Sequence, residues 1–329
     1  MAPQTRGIPR TPRWAPPPFP PWSTVAVLMC VGASVTVPAF LVLGQGATLA
    51  AAGGLMLGLY GTASLGLARV GAPAAITALA CLATLLAPQM WVALGLSGAM
   101  ALLAGAELAR IGTRTLVMGL YAFATVRLGL SMGGELSMLA TLVTGMAAGS
   151  AAAWATGMAN KVPALPESSV IAVRMVVFLS VGLALAIVLA SWLASPRSYW
   201  IAFLFLLRCT LPYGRQRQAA LRFGAGAAAG VVLALAIEAL APTIWVQLLL
   251  ALGATGIGLR YLLDQSPIPA GAFTLAILLG AAPTTAEAVF RMEAVGIVVA
   301  LVFALIAVID RLPLGGIVPA RQDGAEGGP

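Results

Sequence analysis

One feature constrains this chain above all others. Apolar runs of about 18–22 residues follow one another from end to end, separated by Gly, Pro and Arg clusters. A helix of that length covers roughly 30 Å of hydrocarbon. Lipid offers the backbone no hydrogen-bond partner, so each such run must satisfy its own N–H and C=O groups as a helix. The composition agrees: 60% of the 329 residues are A, V, I, L, M, F, W, Y or C, and only 9% are charged. Soluble proteins carry roughly 25% charged residues. The sequence predicts an all-α integral membrane protein, and the soluble-enzyme classes are excluded.

The runs divide into about twelve spans: 23–44, 46–67, 71–87, 90–108, 114–131, 136–158, 168–194, 198–213, 219–240, 242–258, 267–283 and 288–310. Turns fall at Ala87-Pro88-Gln89, Ser195-Pro196-Arg197 and Ala241-Pro242-Thr243. The distribution of cations tests this division, because loops on the cytoplasmic side carry the excess of Lys and Arg. One set of alternate loops and tails holds Arg6, Arg10, Arg13, Arg69, Arg110, Arg114, Lys161, Arg215, Arg217, Arg260, Arg311 and Arg321. The other set holds Arg197 alone. The expected location is the cytoplasmic (inner) membrane, multi-pass, with both termini cytoplasmic. The net charge of +8 is thus a topology signal, and nucleic acid is not an expected partner.

An internal repeat is legible at an offset of 153 or 154 residues. Tyr60-Gly61 recurs as Tyr213-Gly214, and Arg69 as Arg222. Ala87-Pro88-Gln89-Met90-Trp91-Val92 recurs as Ala241-Pro242-Thr243-Ile244-Trp245-Val246. The organisation expected is a Pro/Arg-rich cytoplasmic tail (1–22), a six-helix membrane repeat (23–158), a linker (159–167), a second six-helix repeat (168–310) and a disordered C-terminal tail (311–329). Six is even, so the two repeats run parallel, related by an axis along the membrane normal. No cleavable signal peptide is expected, since the first hydrophobic stretch is span-length.

No histidine is present, which removes histidine metal ligands, histidine proton relays and the Ser-His and Cys-His nucleophile pairs. Cys30, Cys81 and Cys209 lie in apolar runs at no metal-ligand spacing, so neither a metal nor another cofactor is expected. Gly224-Ala225-Gly226 lacks the strand before it and the Gly-Lys-Ser/Thr after it that a phosphate-binding loop requires. The pairs Gly54/Gly58, Gly145/Gly149 and Gly226/Gly230 have the spacing that lets membrane helices approach closely. No enzyme is expected.

Chemistry is left to the ionisable residues in or near the spans: Arg127, Arg174, Arg208, Arg222, Glu238, Arg291 and Glu293. Each is costly at membrane depth unless paired, hydrated or snorkelling to the interface. Arg127, Arg222 and Glu238 lie near span ends, where snorkelling accounts for them. Arg174, Arg208 and Arg291 lie deeper and are the candidates for binding an organic anion, because a guanidinium holds a carboxylate bidentately. Tyr199, Trp200, Phe203 and Phe205 could stack an aromatic ring of that anion, or Tyr199-Trp200 could belong to the interfacial aromatic belt. Glu293 and Glu238 are the proton-coupling candidates.

In the second half, Arg174 precedes Tyr199-Trp200 opening the next helix. Arg215 and Arg217 lead into Arg222-Phe223-Gly224-Ala225-Gly226. Arg260-Tyr261 closes a span, and Arg291 opens the last one. This pattern resembles the fusaric acid resistance-like, or aromatic acid exporter, family of membrane proteins, and Gly105–Trp154 is similar in texture. The resemblance implies proton-driven efflux of aromatic carboxylic acids or related amphipathic organic anions. It also implies a periplasmic adaptor of the membrane-fusion type as partner, beside the anionic cargo, the lipid bilayer and further copies of the chain. The alternative is a membrane subunit without transport of its own, which recruits a periplasmic adaptor or envelope complex.

Overall fold

The structure is a computed structural model. It describes residues 20–162, 164, 166–192, 200–209, 216–240, 243–262, 266–280 and 285–312, without the side chains of 191, 207–209 and 285. Most of both tails, the Ser195-Pro196-Arg197 turn and Ala241-Pro242 lie outside the described residues. Among those residues the chain is helical and has no strand: α1 (Trp22–Leu43), α2 (Gln45–Leu65), α3 (Gly71–Leu86), α4 (Met90–Arg110), α5 (Thr115–Ser131), α6 (Ser137–Ala155), α7 (Ser169–Trp192), α8 (Trp200–Cys209), α9 (Gln216–Ala239), α10 (Ile244–Arg260), α11 (Ile268–Gly280) and α12 (Thr285–Ile309). Each helix falls inside one of the apolar runs, give or take three residues.

Seven of them, α1, α2, α4, α6, α7, α9 and α12, are long and apolar enough to cross a membrane. The apolar helices α3, α5, α10 and α11 are shorter. The described part of α8 is 10 residues, about 15 Å at 1.5 Å per residue. The chain is a polytopic helical membrane protein. Its outer helices carry the large apolar residues, such as Phe40, Leu103, Trp154 and Leu249, on exposed faces, where lipid is the solvent.

Local chemistry ends the helices where the pattern requires. Gly44, at φ +84°, turns the chain between α1 and α2. That left-handed region carries no Cβ penalty for glycine.

Glycine also sets the tightest helix contact. Cβ atoms built on Gly54 and Gly58 of α2 would collide with the carbonyls of Leu142 and Met146 in α6. Cβ atoms on Gly145 and Gly149 of α6 would collide with the carbonyls of Ala51 and Leu55 in α2. The two stripes face each other, each laying bare backbone on the other's backbone. Gly226 and Gly230 make the same approach from α9 to the Pro267 and Gly271 carbonyls at α11.

α5 lies at the centre. Every residue from Thr115 to Gly129 is buried, packed by α2, α3, α4 and α8. A helix apolar all round belongs inside a bundle. The pairings α1–α2, α1–α6, α2–α6, α3–α5, α3–α6 and α4–α5 recur six helices later as α7–α8, α7–α12, α8–α12, α9–α11, α9–α12 and α10–α11. The halves meet along α4–α7, α5–α8 and, more lightly, α1–α10.

Between the halves, Asn160, Val162 and Glu167 are tied to the bundle. Asn160 and Val162 donate backbone N–H to Thr62 and Ala63 at the end of α2, at 3.3 and 3.0 Å. Glu167 donates to Leu108 near the end of α4 at 3.2 Å.

The glycine seam makes a specific prediction. Gly58→Leu drives a side chain into the Met146 backbone and should cost about 1–3 kcal/mol, read as a lower melting temperature in detergent. Gly98→Leu, whose Cβ meets nothing within 4 Å, should melt as wild type.

Candidate functional site

Three helices bring one cation and three aromatic rings together where the halves meet. Arg291, two turns into α12, is 7% exposed. Its guanidinium carbon stands 5.1 Å from the Trp200 ring centroid at the start of α8. Trp200 meets Phe203 edge-on at 5.2 Å, and Phe203 lies 4.7 Å from Tyr121 of the central helix α5. A cation over the face of tryptophan is attracted by the ring quadrupole, more strongly when desolvated. The rings thus offer the charge part of the solvation that lipid withholds.

That compensation is incomplete. Arg291 Nε is buried with no hydrogen-bond partner among the described residues. Glu287, four residues earlier, and Tyr121 lie close enough to act on the Arg291 charge. Glutamate four residues before arginine is the favourable order on a helix. Glu287, Arg291, Trp200 and Phe290 line a small cavity of about 20 Å³, room for about one water molecule.

The other candidates are dispersed. Arg174 is half-buried on α7, its Nε also buried without a hydrogen-bond partner among the described residues. Phe205 of α8 stacks on Phe178 of α7, centroids 5.3 Å apart. Arg174 lies a turn to one side of that stack and Trp200 more than a turn to the other. The two sites are therefore roughly 15 Å apart along the helix axes. The Arg208 side chain and all of Tyr199 lie outside the described residues. Glu238 is half-buried near the end of α9, and Glu293 points from the exposed face of α12. Two residues from Arg291, Glu293 is about 200° round the helix. The structure brings together Arg291, Trp200 and Phe203, and adds Tyr121 and Glu287, which sequence reasoning did not single out as members of one site. The i,i+4 spacing of Glu287 and Arg291 was the one available signal.

Two further buried charges have structural work. Arg127 is 8% exposed and donates from Nη1 to the Pro88 carbonyl at 3.0 Å, pinning the α3–α4 turn to α5. Glu107, 7% exposed at the end of α4, accepts from the Thr113 hydroxyl and from the N–H groups of Thr115 and Leu116, at 2.9 and 2.7 Å for the last two. It caps α5, whose first N–H groups have no partner within the helix, and its charge complements the dipole. Beside it, Arg114 pairs with Glu167 at 3.5 Å. Burial pulls the Arg114 guanidinium below its usual pKa, against the pull of Tyr60 and Glu167 in the other direction.

Among the described residues no group of His, Cys, Asp and Glu could hold a metal ion. Comparison with protein families, curated proteins and solved structures found no match to the chain.

The cap can be tested directly. Glu107→Ala leaves the first turn of α5 without its acceptor and should lower stability by about 2 kcal/mol, the scale of a buried charged hydrogen bond. Glu107→Gln, which keeps one acceptor oxygen, should fall between it and wild type in a detergent thermal melt.

Proposed function

We propose that this chain is a secondary exporter of aromatic carboxylic acids and related amphipathic organic anions in the cytoplasmic membrane, driven by the proton gradient. On this reading its twelve helices are spans in two parallel six-helix repeats, with both termini cytoplasmic. Supporting the repeats is the recurrence of helix pairings at a six-helix shift, together with the sequence landmarks at one offset. The likeness to the fusaric acid resistance-like family supports the cargo class.

The observation that carries the reading is the Arg291 group. A buried arginine with an unsatisfied nitrogen, set among aromatic rings at membrane depth, suits a carboxylate joined to an aromatic ring. The guanidinium takes the carboxylate and the rings take the ring. The group draws Tyr121 from the first half and the rest from the second, as a site that opens alternately to either side requires. Glu287 shares the cavity with Arg291, so its protonation is the coupling step in this scheme. Glu293 and Glu238 are further proton acceptors in this scheme, and Arg174 and Arg208 further cations for the cargo.

The cavity of about 20 Å³ is too small for an aromatic acid, so cargo requires α8 and α12 to separate. That same closure favours the second reading, a membrane subunit that recruits a periplasmic adaptor and moves nothing itself.

The deciding experiment measures radiolabelled aromatic acids accumulated by cells with and without the protein. Wild type should lower accumulation, and a protonophore should abolish the effect. Arg291→Ala should lose export by about tenfold or more, because a bidentate ion pair goes with it. Arg291→Lys keeps the charge but not the fork and should retain part of the activity. Wild-type export by Arg291→Ala at normal protein level would overturn the site. No effect of the wild-type protein on any acid, with a stable partner co-purifying, would establish the second reading.

A further inference from the structure

The two seams that relate the halves in the same way are unlike. α4 lies close on α7, Gly105 against Val176. The corresponding pair, α10 and α1, touches lightly, where Met29 and Trp22 approach Gly256. Beyond that point α1 and α10 part and leave a cleft of about 280 Å³, floored by α2 and α6.

The lining of the cleft is apolar, with Leu55 at its base and Leu259 towards the Trp22 end. Its two hydroxyls, Thr36 and Thr255, donate to the carbonyls of Gly32 and Ala251 on their own helices, both at 2.8 Å. They offer an occupant no free donor. Water needs two to four polar partners to occupy such a space, so its natural filling is hydrocarbon. Val37 and Leu252 line the cleft and are also 51% and 57% exposed, so it opens sideways to the surrounding lipid.

One residue past Leu259, at the end of α10, stands Arg260. Its guanidinium stacks on the Trp22 ring at 4.4 Å. Its Nη1 is buried with no hydrogen-bond partner among the described residues. An apolar slot open to the bilayer, with a half-buried guanidinium one residue past its end, matches one kind of molecule in both charge and polarity.

We infer that the α1–α10 cleft binds a single anionic phospholipid, one acyl chain in the slot and the phosphate on Arg260. The cleft is near the small end of ligand sites, which run from about 300 Å³ upwards, so it takes one chain and not two. The headgroup contact is a charge-assisted hydrogen bond to a guanidinium, and Trp22 holds that guanidinium in place from the other face. The lipid completes the seam that α4 and α7 close by direct packing. This site is separate from the Arg291 group and does not depend on transport.

The test is native mass spectrometry of detergent-purified protein exchanged with equimolar phosphatidylglycerol and phosphatidylcholine. One phosphatidylglycerol per chain should be retained, about tenfold over phosphatidylcholine. Arg260→Gln should remove that preference. Gly32→Leu, which fills the slot from α1 beside Leu55, should displace both lipids with Arg260 intact, so the proposal stays testable should Arg260→Gln fail to fold. Equal retention of the two lipids by wild type, or unchanged retention in the Gly32→Leu protein, overturns the site. So does a dimer in place of the lipid adduct, which would make a second copy the occupant.

Discussion

The bare backbone contact between α2 and α6 is the constraint on which the rest of the structure depends. Hydrocarbon gives no hydrophobic drive for one apolar helix to leave lipid and join another, so membrane helices associate through close van der Waals contact. Gly54 and Gly58 facing Gly145 and Gly149 supply that contact. Gly53, on the same helix, faces α5 at Ala122 and the Thr125 side chain. α2, α3 and α4 cover α5 on most sides, and a further side meets α8. Tyr121 lies on that side, against Phe203, and through Trp200 the contact runs on to Arg291. The position of the buried cation is thus a consequence of glycines on the far side of the bundle.

The two halves use the same pairings with different chemistry. In the first half the glycine seam joins α2 and α6, whereas in the second it joins α9 and α11. The second-half counterpart of α2 is α8, and it is held instead by rings: Phe205 on Phe178, and Phe203 on Tyr121. Glycine-to-backbone contacts are unforgiving, since any added atom collides. Ring contacts tolerate sliding and tilt at modest cost. The cation site lies on the half with the more adaptable seam.

Most of the helices were legible in the sequence because lipid writes a simple rule: a run of apolar residues long enough to cross, then Gly, Pro or Arg. The glycine pairs were legible as packing surfaces for the same reason, though not which helix each would meet. Arg291 and Trp200 stood out because charge and indole are rare in such runs. Tyr121 did not, since its role depends on α8 packing against α5, a contact between residues some eighty positions apart. Glu107 carried no signal, because its partners are mainly backbone N–H groups eight and nine residues on, and any residue type presents those. Glu293 attracted notice as a carboxylate inside the 288–310 run, whereas Glu287, one residue before that run, is the carboxylate that lines the cavity with Arg291. Twelve crossing helices were less legible than twelve apolar runs: α8 and α11 are shorter, in their described residues, than a bilayer requires.

Arginine in lipid raises a question of energy that the surrounding rings answer only in part. A cation–π contact contributes about 2 kcal/mol when desolvated, and Glu287 adds attraction along the same helix face. Insertion of an arginine at the centre of a helix costs about 2.5–3.5 kcal/mol. The ring contact and Glu287 offset part of that cost. A leucine there would pack against Trp200 and Phe290 with no desolvation to offset. What leucine could not do is leave a buried N–H donor that has no acceptor among the described residues. On the proposed function, that unfilled hydrogen-bond site is what a carboxylate of the cargo would occupy.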